Sequence, residues 1–207
     1  MFPACAPCNR STRFDEQFAS LLSRSLPEPS TKDERREFEK LVESVSRENE
    51  AALRELMPSE EEVAEAREKY RLPDGHPPLL NVRGPHMNRA VLRVGFKLGC
   101  ALYYLHSSRI VPLAGGVLIR WFTNVQAFAD ELPEEISQLT HAQGVVLRNS
   151  RSLSDQFEYR HGASADYEAF AFAARFRQSF LIFGLALRDV SSVPTLKVGA
   201  LLRPRAF

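Results

Sequence analysis

Apolar residues recur at helical spacing near the start of the chain. Between residues 11 and 26 they share one face of a predicted helix, which a proline-containing stretch then ends. The residues on that face are Phe14, Phe18, Leu21 and Leu22. Thr12 is the predicted N-cap, and Asp15 lies in the first turn, where negative charge favours the helix dipole. The pattern predicts a helix that packs on a core.

A longer, strongly charged helix is predicted to begin at the capping box Thr31-x-x-Glu34. Its seam positions are spaced four and three residues apart and are Phe38, Val42, Val45, Asn49, Ala52 and Leu56. This spacing fits a helix lying on the protein's own core, or a coiled coil with a partner protein through residues 33–56. The run barely approaches the roughly three heptads that a coiled coil needs, which favours the first interpretation. A second capping box, Ser59-x-x-Glu62, starts a shorter helix.

Residues 71–86 contain four prolines and predict a linker or an extended surface segment. The charge balance changes sign there. Residues 1–70 hold 11 Lys/Arg and 16 Asp/Glu, a net of −5, whereas residues 71–207 hold 16 and 10, a net of +6. We therefore expect a helical region with a partial zinc knuckle at 1–70, a linker at 71–86 and an α+β domain at 87–207.

A second kind of helix is predicted from Met87 to about Ser107, because apolar side chains fill most of its circumference. This composition indicates a helix buried on nearly all sides. Gly95 and Gly99 lie one turn apart and would let another backbone approach closely. Polar residues stepping by four form a basic stripe of Arg89, Arg93 and Lys97. The stripe fits contacts to phosphates or, as the favoured interpretation, a solvated edge of the helix.

The end of the chain has the alternation of β-strands. Strands are predicted at Val117–Phe122, at residues 157–160 and at residues 170–176, and the apolar run Phe180–Leu187 predicts a strand buried on both sides. A short helix and loop are predicted at residues 127–139, and a turn at residues 161–164. Short connections indicate an antiparallel meander packed on the helix that begins at Met87. The predicted fold class is α+β.

Composition places the chain among ordinary soluble proteins, with 44% apolar and 26% charged residues. No apolar run is long enough to span a bilayer, so we expect no membrane partner. Three cysteines without a secretory signal predict a reducing, cytoplasmic location. The five histidines are scattered, and we expect surface or capping roles for His76, His86, His106, His141 and His161.

Two of the three cysteines, Cys5 and Cys8, stand at Cys-x-x-Cys spacing directly before Asn9. Such a pair can bind zinc or act as a redox couple. The strand that precedes a thioredoxin-like pair has no room before Cys5, which favours zinc. A short strand at residues 1–4, a knuckle turn and a helix would be half of a zinc-binding ββα element. Cys100, in the buried helix, is expected to be an inert packing thiol.

The string Pro3-x-Cys5-x-x-Cys8-Asn9, with Glu16 in the following helix, resembles the second half of the HNH endonuclease motif. The resemblance implies that Cys5 and Cys8 bind a structural zinc and that Asn9 is a ligand of a catalytic Mg²⁺ or similar ion. In that family a first cysteine pair and the general-base histidine lie upstream. Here they would have to precede residue 1.

The resemblance implies metal-dependent hydrolysis of DNA phosphodiesters in the complete form of the motif. For the chain as given we expect little or no nuclease activity, since a metal ligand without a base leaves water unactivated. The expected DNA contacts are Arg10, Arg13, Arg89, Arg93 and Lys97. The alternative is a non-catalytic module that binds a protein or a nucleic acid.

Overall fold

The computed structural model describes residues 6–26, 29–72, 79–124, 126, 147–148, 151–152, 156–191 and 199–204. Within these ranges five helices come first. They are α1 (Ala6–Ser11), α2 (Arg13–Ser25), α3 (Lys32–Glu55), α4 (Glu60–Tyr70) and α5 (Pro85–Ser107). The strands that follow are β1 (Gly116–Thr123), β2 (Leu147–Arg148), β3 (Arg151–Ser152), β4 (Phe157–Ala163), β5 (Ala169–Phe176), β6 (Phe180–Leu187) and β7 (Ala200–Leu202).

Five of these strands form one antiparallel sheet in the order β4-β5-β6-β1-β7, and β2 pairs only with β3. Consecutive strands β4, β5 and β6 are neighbours, so the predicted meander is confirmed. β1 pairs with β6 on its other side, with Gly116 opposite Leu187 and Thr123 opposite Phe180, and β7 pairs with β1 at the edge of the sheet. The α+β fold class is therefore confirmed.

The turn predicted at residues 161–164 is wrong. β4 continues to Ala163, and His161 pairs with Phe172 of β5. A Gly-Ala-Ser sequence is typical of a turn, but pairing with a buried neighbouring strand overrides this local preference. The chain turns only after Ala163, where Ser164 N donates to the Ala169 carbonyl.

Helix α5 packs closely on the sheet because two of its positions have no side chain. A Cβ at Gly95 would lie 3.0 Å from Ile119 Cγ2, and one at Gly99 would lie 2.7 Å from Val117 Cγ1. The atoms nearest to the two glycines belong to side chains of β1, β5 and β6, and not to another backbone as predicted. The prediction that this helix is buried on nearly all sides is wrong for its last turn, where Leu105 is 63% exposed. No described element packs over it there.

Helices α2 and α3 cover the other side of α5. Phe18 of α2 and Val45 of α3 are fully buried in the same hydrophobic cluster as the sheet residue Phe172. The seam of α3 therefore lies on the protein's own core, as the favoured interpretation predicted. At Asn49 the helix is kinked (φ −157°, ψ 87°), and the Asn49 side chain accepts from Ala52 N at 3.1 Å. The second part of α3 therefore begins after this polar seam position.

The first helical segment differs from the prediction in its details. One continuous helix was expected from residue 11, but α1 and α2 are separate and meet at Thr12. Thr12 occupies the N-cap position without a capping bond, and its hydroxyl donates to Glu16 Oε1 at 2.9 Å. The chain is helical from Ala6, so the knuckle turn expected before Asn9 is not observed.

Several predicted features lie outside the described residues. They are the strand at residues 1–4, Cys5, the side chain of Cys8, and the helix and loop at residues 127–139. Residues on both sides of the predicted 71–86 linker share one hydrophobic cluster, and the division into domains stays a prediction. Among the described helices, none has the length and apolar character needed to cross a membrane.

Candidate functional site

The basic stripe of α5 faces α2 and binds a buried carboxylate. Asp15 is 2% exposed. Arg93 Nη1 donates to its Oδ2 at 2.8 Å, and Arg89 Nε donates to its Oδ1 at 3.3 Å. Charged hydrogen bonds to a buried carboxylate are stronger than those to neutral groups. The stripe thus joins two helices, which the interpretation as a solvated edge did not anticipate.

Lys97 extends this network to α1. Its ammonium donates to Asn9 Oδ1 at 3.1 Å and to Thr12 Oγ1 at 3.0 Å, and it pairs with Glu16. Arg93 Nη1 also donates to the Ser11 carbonyl at 3.3 Å. The segment that follows the cysteine pair is therefore held against α5 by charged hydrogen bonds.

The same contacts bear on the metal role implied for Asn9. Its side-chain oxygen already accepts a hydrogen bond from the Lys97 ammonium. A divalent cation at that oxygen would meet a positive charge about 3 Å further on, and like charges at such a distance repel. The observed arrangement of Asn9 does not fit a Mg²⁺ ligand unless Lys97 moves away. Within the described part of the chain no three His, Cys, Asp or Glu side chains are grouped to bind a metal.

We name the residues predicted to bind nucleic acid the α1–α5 basic surface; they are Arg10, Arg13, Arg89, Arg93 and Lys97. The fold brings the two ends of this set together. Asn9 and Thr12 both accept from Lys97, and the next residue after each is an exposed arginine. The two carboxylates within the network are Asp15 and Glu16, which leaves a net charge of +3.

A cleft of about 1110 Å³ lies between α2, α3, α4, the start of α5 and the end of β1. Trp121, the chain's one tryptophan, lines it and donates from Nε1 to Asn88 Oδ1 at 3.0 Å. Asn81 at its wall donates to Glu62 Oε1 at 3.1 Å. These two hydrogen bonds hold lining groups of the cleft to one another. The cleft was not predicted from the sequence, since five separate elements form it.

His106 at the end of α5 and His161 of β4 stack on each other, with ring centroids 3.8 Å apart and planes at 28°. His106 Nε2 lies 3.1 Å from Tyr159 Oη, and both imidazoles stack on Phe170. Burial and, after it, the charge of His161 lower the pKa of His106, and burial raises the pKa of Tyr159. This contact was not predicted, since only surface or capping roles were expected for the two histidines.

Sequence reasoning missed this histidine pair because it placed His161 in a turn. The usable signal was the alternation of Phe157, Tyr159 and His161, which share one face once the strand continues. Cys100, by contrast, behaves as expected. Burial raises the pKa of its thiol to about 12, and so little thiolate is present near neutral pH.

Comparisons with known proteins returned no relative. No family model matches the chain, and no match was found among curated proteins or solved structures. The resemblance to the HNH motif is neither supported nor contradicted by these comparisons and stays a prediction.

Proposed function

We propose that this chain binds nucleic acid through the α1–α5 basic surface, without catalysing a reaction by itself. The observation that carries the proposal is the contact of Lys97 with Asn9 and Thr12. It puts the stripe of α5 beside Arg10 and Arg13, residues more than 75 positions away in the sequence. Clustered Arg and Lys side chains bind phosphates by displacing counterions, without reading sequence.

The five cations have different tasks in this proposal. Arg89, Arg93 and Lys97 bond to Asp15 and Glu16, so they position α1 and α2. Arg10 and Arg13 are exposed, and neither pairs with a carboxylate within the described residues. These two arginines are therefore the direct phosphate contacts.

The test is binding of a fluorescent DNA duplex, followed by anisotropy between about 50 and 200 mM salt. We expect the double variant Arg10→Gln/Arg13→Gln to bind about tenfold more weakly. The slope of log affinity against log salt concentration should become shallower by nearly two, since each phosphate contact contributes about 0.9. The matched control is Arg36→Gln/Lys40→Gln, which removes two exposed cations from α3. Equal affinities for the two double variants would refute the proposal.

A second candidate function is metal-dependent hydrolysis of DNA, favoured by the string Cys5-x-x-Cys8-Asn9. In this proposal Cys5 and Cys8 bind zinc, and Asn9 reaches a divalent ion only after Lys97 moves away. The chain alone should cleave little DNA, because no histidine occurs before His76 to serve as the upstream base.

Metal analysis of the purified protein tests the zinc part of this candidate. An occupied site would give close to one equivalent of zinc in the parent protein and in the Cys100→Ser control. The double variant Cys5→Ser/Cys8→Ser should contain almost none. A parent protein with less than about half an equivalent would rule out an occupied zinc site at the cysteine pair.

A further inference from the structure

The histidine pair of α5 and β4 has a feature that separates it from ordinary core packing. His161 Nδ1 is buried and has no hydrogen-bond partner. Buried polar atoms in folded proteins nearly always have one. The neutral form, with Nδ1 unprotonated, tolerates this position, whereas an added N–H there would have no acceptor.

We propose that His106 and His161 form a pH-sensitive contact between the last turn of α5 and β4, stable while both rings are neutral and loosened when they are protonated. The geometry carries this proposal. Two imidazoles with centroids 3.8 Å apart can share one positive charge at low cost, but two charges at that distance repel strongly.

The two rings have different hydrogen-bond partners. His106 Nε2 faces Tyr159 Oη at 3.1 Å, and a phenol oxygen can accept from an imidazolium as well as donate to an imidazole. His161 has no such partner for Nδ1. The two rings therefore differ in their partners, and a pair with both rings protonated has no favourable arrangement.

The groups around the pair supply no counter-charge. The phenols are Tyr103 of α5, which donates to the Tyr167 carbonyl, and Tyr159 of β4; Phe170 of β5 is uncharged.

The nearby charged residues follow α5 and lie in the turn between β4 and β5. Arg109 donates to the Asp166 carbonyl, and Glu168 pairs with Arg188. Among the described residues, no carboxylate bonds to either imidazole.

The direction of the pH effect follows from the lowered pKa of His106. The unfolded chain takes up a proton near the ordinary value of 6.5, before the folded chain does. The stabilisation that the contact provides is thus present above pH 6.5. It is lost as the pH falls through the lower pKa that His106 has in the folded chain.

The decisive experiment is urea unfolding of the full chain at several pH values between about 5 and 8. The His161→Phe variant keeps a stacking ring that cannot take up a proton. We expect its midpoint urea concentration to change with pH about half as much as that of the parent. The control Phe157→Leu weakens packing on the same strand without removing a titratable group and should keep the parent's pH dependence.

A second measurement keeps the test valid where a variant folds poorly. Proton NMR of the parent protein should show His106 titrating below 6.5, and in His161→Phe its midpoint should rise toward that value. The proposal is overturned if His106 titrates at the ordinary value in the parent, or if His161→Phe retains the full pH dependence of unfolding.

Discussion

Glu55, the last residue of α3, caps the N-terminus of α5 at His86. Its Oε1 accepts from the backbone amides of His86 and Met87 at 3.0 and 3.1 Å, and its Oε2 lies 2.7 Å from His86 Nδ1. The N-cap position itself is Gly84, which has no side chain to offer. A cap from a distant helix thus replaces the local one and fixes where α3 ends relative to α5.

Gly84→Ala should displace this cap. The added Cβ would lie 1.9 Å from Glu55 Cδ, so the carboxylate must move away from the helix end. We expect a loss of about 1–2 kcal/mol in the free energy of unfolding, the usual cost of a lost N-cap. Urea denaturation measures it. In a Glu55→Ala background the same substitution should cost less than half as much, and an equal cost in both backgrounds would exclude the cap as the cause.

The acid dependence of stability should contain a contribution from Glu55. Burial on its own would raise the pKa of Glu55, but the hydrogen bonds from His86 and Met87 outweigh it and the net pKa lies below the ordinary 4.5. The unfolded chain therefore binds this proton first, so the contribution is present above 4.5 and is lost as pH falls through the folded value. In Glu55→Gln we expect a shallower fall of the unfolding free energy between about pH 5 and 3. An unchanged slope would contradict the assignment.

Asp15→Asn should weaken the attachment of α2 to α5. The carboxylate is almost fully buried and bonds to Arg89 and Arg93, and an amide in its place loses the negative charge and turns an NH₂ donor toward one of the two guanidiniums. We expect about 2 kcal/mol of destabilisation, less than for a fully buried pair because the arginines reach solvent. The control is Glu37→Gln, whose exposed pair with Arg24 should be worth no more than about 0.5 kcal/mol. Similar losses in both variants would show that Asp15 has no special role.

Local signals in the sequence predicted the helices well. The capping boxes at Thr31 and Ser59 form as predicted, because each uses only residues within one turn. The β-meander was predictable for a related reason, since alternating strands joined by short connections pair with their neighbours.

Contacts between distant segments were not predictable in this way. Arg93 and Asp15 are 78 residues apart, and the sequence around one of them does not indicate that it bonds to the other. The pairing of β1 with β6 and the stacking of His106 on His161 depend on the final register of the sheet. Candidate sites built from such contacts are visible only in the folded chain, whereas the cysteine pair was visible in the sequence alone.

The ring of Phe172 lies between two glycines of different elements. Its cross-strand partner on β6 is Gly184, where a Cβ would lie 2.1 Å from Phe172 Cε1. On α5, a Cβ at Gly99 would lie 3.0 Å from the same atom. Phe172 is fully buried, so its ring fills space that both glycines leave open.

Gly184→Ala should therefore destabilise the protein by forcing this ring to move. We expect a loss of about 2 kcal/mol, within the usual range for overpacking a core. Phe172→Leu removes the ring edge and should cost about 1.5 kcal/mol, which is typical of a change of shape in a core. In the double variant, Gly184→Ala should cost about 1 kcal/mol less than in the parent, because the atom it meets is gone. Strictly additive losses in urea denaturation would show that the two residues are not coupled.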